Sequence, residues 1–199
     1  IASLVVDIVV RRIPREMGYD PVTAIQVLSP MYTTQAGVDH LNLRLRRELN
    51  PHGSLILHKG EDSWHIGDKV MQTKNDYGKD VFNGDIGRIV GADDEEALVT
   101  VRFDERDVVF AYDELSSLTH AYAITIHKSQ GSEYDVVVLP VTMQHRIMLQ
   151  RNLLYTAMTR ARKLLVCVGQ RSALEYGVRN ERPAFRHTRL AEALRDAFR

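Results

Sequence analysis

Two short apolar runs constrain this chain more than any other feature: VVVL at residues 136–139 and LLVCV at residues 164–168. An unbroken run of branched apolar residues reads as a strand covered on both faces, the mark of a parallel sheet with helices packed on each side. Pro140 closes the first run, and helical spacing over residues 149–161 leads into the second. The chain opens in the same grammar. Leu4, Val5, Ile8, Val9 and Ile13 fall at helical spacing, residues 24–28 form a short apolar strand ended by Ser29-Pro30, and a second amphipathic helix carries Val38, Leu41, Leu45 and Leu49. Strand followed by helix predicts an α/β layer. A further helix is predicted over residues 121–130, closed by Gly131, and residues 172–199 read as mostly helical, broken near Pro183.

Between about residues 55 and 118 the pattern changes to short strands separated by turn residues. Residues 69–73, 86–90, 97–103 and 108–112 are the candidates, and Asn83-Gly84-Asp85 is a strong turn signal. This spacing predicts a small antiparallel barrel, better supported as an insertion tied at both ends than alone. Charge follows the same division. Residues 1–54 carry 6 basic and 5 acidic side chains, residues 55–118 carry 7 and 15, and residues 119–199 carry 13 and 6. Much of the acidic excess sits in residues 93–96 and 104–107, which read as hairpin tips. Trp64 is expected to pack the barrel. The basic segment 179–199 either faces phosphates or forms a solvated helix face.

The net charge of zero argues against a polycation that coats nucleic acid indiscriminately. No apolar run approaches the roughly 20 residues a membrane span requires, and no signal peptide is visible. The chain begins at Ile1, which suggests a piece of something longer. One cysteine, Cys167, excludes an internal disulfide framework and suits a reducing cytoplasm; it is expected to be a small buried hydrophobe. Eight histidines are scattered without zinc-site spacing, and His40 and His187 read as surface residues. A phosphate-cradling G-x-x-x-x-G-K-[ST] loop is absent: Gly78-Lys79 is followed by Asp80, with Thr73 at the first glycine's place.

Two segments could carry chemistry. The predicted helix 149–161 ends in Thr159-Arg160-Ala161-Arg162-Lys163. Basic residues there complement the helix dipole; a guanidinium at a domain edge could equally reach a γ-phosphate. Thr125, His127, Lys128, Ser129, Gln130, Gly131 and Glu133 form the other, either a polar helix end with a glycine cap or a ligand-facing turn. Tyr155 is expected in the core, and Tyr32 either packs or lines a cleft.

AITIHKSQGSEYDVVVLPV (residues 123–141) and NLLYTAMTRARKLLVCVG (residues 152–169) resemble motifs V and VI of superfamily 1 helicases, in the form used by the RecD-like, 5′-to-3′ branch. Gln130 departs from the lysine of the UvrD-like branch. QVLSPMYTTQAGVDHLN (residues 26–42) resembles motif IV in part, without an arginine between Met31 and Asn42. GDKVMQTKNDY followed by VFNGDIGRIV resembles the SH3-like 2B insertion of the same branch. The resemblance implies an α/β fold: a parallel-sheet RecA-like helicase domain (2A) from residues 1–54 and 119–199, interrupted by a small all-β SH3-like barrel (2B) at 55–118. Arg160 would be the arginine finger. Glu133, with Gly131 and Gln130, would contact the nucleotide. Thr125, His127 and Lys128 would face single-stranded DNA, and so would a barrel surface of Lys69, Gln72, Lys74, Asn75, Tyr77, Lys79 and Asn83, with the acidic tips turned away. Arg162 would make a structural pair. ATP and Mg2+ would be bound mainly by the N-terminal motor domain of the same polypeptide, which this chain lacks. Single-stranded DNA, that domain and other recombination proteins are the implied partners, with no membrane, and the chain alone should be inactive. Two alternatives stay open: a non-catalytic helicase-derived module that binds DNA or protein, and the helicase part of a conjugative relaxase.

Overall fold

In a computed structural model of the chain, the residues described are 1–59 and 62–181, together with Leu194, Arg195 and Ala197. Four parallel strands form the first sheet, in the order β11-β10-β1-β9: β1 (Ile25–Ser29), β9 (Ala123–Thr125), β10 (Tyr134–Val141) and β11 (Ala161–Gly169). Helical segments α1 (Ala2–Asp7) and α2 (Ile13–Met17), joined by a π-helical stretch (Ile8–Arg12), cover one face with α3 (Val38–Leu49). Val5, Val9, Ile13, Leu41 and Leu45 pack there against Ile25, Val27, Val136 and Val138. On the other face Leu28, Ile124, Val137 and Leu139 pack against Leu149, Leu153, Leu154 and Ala157 of α4 (Arg151–Met158) and its approach, and against Ala173 of α5 (Arg171–Arg179). Alternate residues of one apolar run therefore feed two different cores, which is why the run has no polar member. Among the described residues no helix is long and apolar enough to cross a membrane.

The second sheet is antiparallel, with order β7-β6-β5-β4-β8: β4 (Lys69–Gln72), β5 (Ile86–Asp93), β6 (Leu98–Phe103), β7 (Arg106–Ala111) and β8 (Leu118–His120). A hairpin of β2 (Leu55–Lys59) and β3 (Asp62–His65) precedes it. Val70, Ile89, Val99, Val101, Phe110, Leu115 and Trp64 form its core, so Trp64 does pack the barrel. Both acidic runs are hairpin tips. Asp93 accepts the N–H groups of Glu95 and Glu96 at 3.0 and 3.1 Å, and Ala97 and Asp104 take left-handed backbone conformations at the turns.

Strand β4 belongs to both bodies, and all four of its residues are buried. Val70 enters the barrel core, while Met71 enters the α/β core beside Leu28 and Ile124. Next to it Asp68 ties both chain crossings together. Its carboxylate accepts hydrogen bonds from Asn50 Nδ2 at 2.8 Å, the His65 N–H at 2.9 Å and the Tyr122 hydroxyl at 3.2 Å, and lies 3.2 Å from His120 Nε2. Asn42 links α3 to β9 in the same way, donating to Ala123 O at 2.9 Å and accepting the Ala123 N–H at 2.7 Å.

Several expectations are corrected. Residues 121–130 are not a helix: residues 123–125 pair with β1, in the register Val27↔Ala123 to Ser29↔Thr125, and only a 3₁₀ turn (His127–Ser129) follows. Ile124, Thr125 and Ile126 are β-branched, and pairing with a buried strand outweighs the local helical pattern. Cys167 is exposed, because β11 is the sheet's edge strand and only Val168 is buried within it. The break near Pro183, the basic face of residues 179–199 and His187 lie largely or wholly outside the described residues.

Candidate functional site

The sheet register separates the two ends of the segment between β9 and β10. Ser29 pairs with Thr125, and Val27 pairs with Val138, so Thr125 stands level with residue 140 at the carboxyl edge. Tyr134 begins β10 at the opposite edge. The intervening residues must therefore run about 20 Å back along the sheet, at roughly 3.3 Å per residue over the six positions between 134 and 140. Thr125 and His127 lie near the first edge, Glu133 near the second.

At the carboxyl edge Thr125 is 6% exposed, and its hydroxyl accepts the Lys128 N–H at 3.2 Å. Its hydroxyl thus helps hold the 127–129 turn, while His127 and Gln130 are exposed and Lys128 is half-buried. Thr34 and His145 meet on the same edge, with 3.1 Å between Oγ1 and Nε2. His145 is fully buried, and burial lowers its pKa. Sequence reasoning missed this pair, which joins the loop after β1 to the loop after β10; a lone histidine carries no signal of its partner.

At the opposite edge the two motif-like segments interlock. Gly131 takes φ +87°, a conformation that favours glycine, and lets the chain turn into Ser132-Glu133. The Tyr134 N–H donates to Arg160 O at 2.9 Å. In return Arg160 Nη1 donates to Ser132 O at 3.0 Å, Nε to Thr156 O at 3.1 Å and Nη2 to the Thr159 hydroxyl at 3.2 Å. Each of these acceptors is neutral, and two of the guanidinium's five N–H groups remain. Arg162, by contrast, pairs with Glu133 at 3.0 Å, and Lys163 with Asp135 at 2.9 Å. Burial raises the Tyr134 pKa, opposed by Ser132 and by the charge of Arg160. Tyr155 is 68% exposed and not in the core; Leu153, Leu154 and Ala157 fill the buried side of α4 instead.

The barrel surface differs from expectation. Lys69 and Gln72 are buried in the shared strand and so are not part of the barrel's exposed surface. Lys79 is tied to Glu114 at 2.5 Å and sits 4.9 Å from the Phe110 ring centre. Lys74 is exposed; Asn75, also exposed, accepts the Asn83 N–H at 2.9 Å. Tyr77, 79% exposed, meets Phe82, 40% exposed, edge to face at 5.9 Å. Phe82 was not among the expected surface residues. The tip at 104–106 lines a cavity with Ser132 and Tyr134, so it faces the motif-like segment.

In fold, the chain is similar to the Pif1 helicase from Bacteroides solved with ADP-AlF3 and single-stranded DNA: TM-score 0.58 at 20% identity, over 99% of this chain and 49% of that one. The UvrD-like helicase C-terminal domain matches residues 120–168, and the ATP-dependent RecD-like DNA helicase SH3 domain matches residues 41–103. The ATP-dependent RecD2 DNA helicase of Deinococcus radiodurans is 42% identical over 173 residues, 86% of this chain and 24% of that protein. The chain belongs to the RecD-like helicases. The RecD subunit of the RecBCD enzyme of Mycolicibacterium smegmatis is 36% identical over 162 residues, 81% of this chain and 28% of that protein. This RecD-like chain thus spans about a quarter of the length of these curated relatives. Its parallel sheet with flanking helices is the RecA-like helicase fold, and its antiparallel sheet is the SH3-like part.

Proposed function

We propose that this RecD-like chain is the C-terminal motor portion of an ATP-dependent helicase that moves 5′ to 3′ along single-stranded DNA. In this reading residues 1–54 and 119–199 form domain 2A and residues 55–118 form domain 2B. Arg160 is the arginine finger. The observation that carries the reading is its setting: a guanidinium oriented by three neutral oxygens, beside Glu133 and on the edge away from Thr125. Among the described residues a cation so held has no carboxylate partner, and it keeps N–H groups for a γ-phosphoryl group presented from another domain. Glu133 would accept a ribose hydroxyl, sharing its oxygens with Arg162, with Gly131 and Gln130 shaping the approach.

The carboxyl edge supports the strand-binding role. His127 and Lys128 would contact phosphate or sugar, and Thr125 would set the turn that presents them. On the barrel Lys74, Asn75 and the Tyr77–Phe82 pair would add a phosphate contact and a stacking platform, worth about 1–3 kcal/mol per stacked base. Lys79, neutralised by Glu114, would contribute less. Domain 2A would close on its partner when ATP is bound and relax after hydrolysis, since Arg160 meets its ligand only in the closed state. ATP and Mg2+ would be bound mainly by the partner domain. The metal's charge would there neutralise the developing phosphate charge.

Two measurements test this. The purified chain, given ATP, Mg2+ and an oligonucleotide, is expected to release no phosphate above background; robust turnover would overturn the half-motor reading. Lys74→Glu in the full-length helicase is expected to weaken single-strand binding several-fold and to lower the slope of log affinity against log salt by about 1. Identical affinity across the salt series would remove Lys74 from the track.

A further inference from the structure

Where the two sheets meet they leave a cavity of about 650 Å³, walled in part by Thr23, Lys69, Arg88, Asp104 and Tyr134. Lys69 is only 6% exposed. Its ammonium carries three N–H groups, and among the described residues its hydrogen-bond partner is the Ile25 carbonyl, at 3.4 Å. Strand register sets Lys69 directly opposite Arg88. Like charges facing each other across an antiparallel pair are destabilising, and a buried charge requires a partner.

The neighbouring charges do not supply that partner. Arg88 gives its Nε–H to Gly67 O at 3.1 Å. Asp20 acts on both cations, but without an ion pair to either among the described residues, and its Oδ1 already accepts the Val22 and Thr23 N–H groups and the Thr23 hydroxyl. Arg102, also on the wall, is held by Asp107 through two hydrogen bonds, and Asp104 lies at the exposed tip. Burial lowers the Lys69 pKa to about 8, with Asp20 acting in the opposite direction.

We propose that this seam is an anion site that takes a phosphate group between Lys69 and Arg88. The cavity has ample room for one oxyanion. Lys69 and Arg88 stand on strands β4 and β5, and Tyr134 opens β10, so a bound phosphate braces the barrel against the α/β domain. The site stands independently of the role given to Arg160. The phosphate could come from the free ion or from a nucleic-acid phosphodiester, and the test separates the two.

The test follows thermal unfolding of the chain by Trp64 emission, in sodium phosphate against sodium chloride at equal ionic strength. Phosphate at ten times its Kd is expected to raise the midpoint by about 3–6 °C and to saturate. Lys69→Met is expected to unfold no lower than wild type in chloride and to ignore phosphate. Arg88→Gln, at an exposed position that should not affect folding, is expected to lose at least half the response and decides the matter should Lys69→Met fail to fold. A thymidine oligonucleotide that stabilises only the Lys69 form, without any effect of free phosphate, assigns the site to a phosphodiester. An equal response of wild type and Arg88→Gln, or no saturable response to either probe, overturns the proposal.

Discussion

Alanine at Arg160, in the full-length helicase that carries this chain, is expected to cut single-strand-stimulated ATP turnover by about 10³–10⁵ while leaving ATP affinity within a few-fold. The asymmetry follows from when the contact matters. Charge builds on the phosphoryl oxygens as the bond to the leaving group lengthens, so an interaction made chiefly then appears in kcat and hardly in KM. The structure adds a second arm. Arg160 uses Nε, Nη1 and Nη2 to hold Thr156, Ser132 and Thr159 while keeping two N–H groups. A lysine has a single nitrogen and cannot both keep those bonds and reach outward, so Arg160→Lys is expected to fail almost as badly as alanine. Since the acceptors it abandons are exposed or part-buried, neither variant should unfold the domain. Turnover at the wild-type rate in Arg160→Ala would end the finger assignment, and equal losses in ATP affinity and turnover would make Arg160 a binding residue only.

The parallel sheet was legible because Val136 to Leu139 have apolar neighbours on both faces, and a short run of branched residues closed by Pro140 favours a strand covered on both sides. The acidic hairpin tips were legible for a related reason: charge clusters with small turn residues leave the chain few places to go but outward. What failed were statements about partners. Nothing local says that Ala123–Thr125 will find β1, and a three-residue strand is too short to impose its own period. Cys167 belongs to an apolar run like its neighbours, yet the run's position at the edge of the sheet leaves it exposed. Lys69 reads as a surface lysine beside Lys74, but β4 is covered on both sides. Arg160 was singled out by resemblance to a motif, and its finger role is a proposal. Arg162 was expected to make a structural pair and does so with Glu133; that neutral oxygens of its own chain would meet Arg160 was not legible.

Asp68→Asn is expected to destabilise the chain by about 3–5 kcal/mol, seen as a midpoint lowered by roughly 6–20 °C. The carboxylate is 0% exposed and receives donors from Asn50 at the end of α3, from His65 at the end of β3, and from Tyr122 ahead of β9, with His120 Nε2 also in range. An amide of the same shape turns one acceptor into a donor, so the N–H of either Asn50 or His65 loses its acceptor without regaining water, and the Tyr122 hydroxyl or His120 ring must reverse its role. Both crossings between the sheets pass through this point, so the loss should loosen the barrel from the α/β domain. Trp64, the single tryptophan, reports it directly, because it is buried and stacked on His120 at 4.8 Å. The pH dependence has a definite sign. Burial favours the neutral acid at Asp68, but hydrogen bonds from His120 and Asn50 and the nearby charge outweigh it, so the folded pKa lies below 3.8. That contribution is full above the unfolded carboxylate range and disappears as pH falls through the folded value. His65 adds an earlier loss: burial and Arg46 lower its pKa below 6.5, so protonation begins to favour the unfolded chain below about that pH. Wild type should therefore lose stability in two stages on acidification, and Asp68→Asn should show a smaller second stage, left to carboxylates such as Asp20 and Glu114 whose pKa values are also lowered. A variant that melts within about 2 °C of wild type, with Trp64 emission unchanged, would show that the Asp68 hydrogen bonds do not hold the two sheets together.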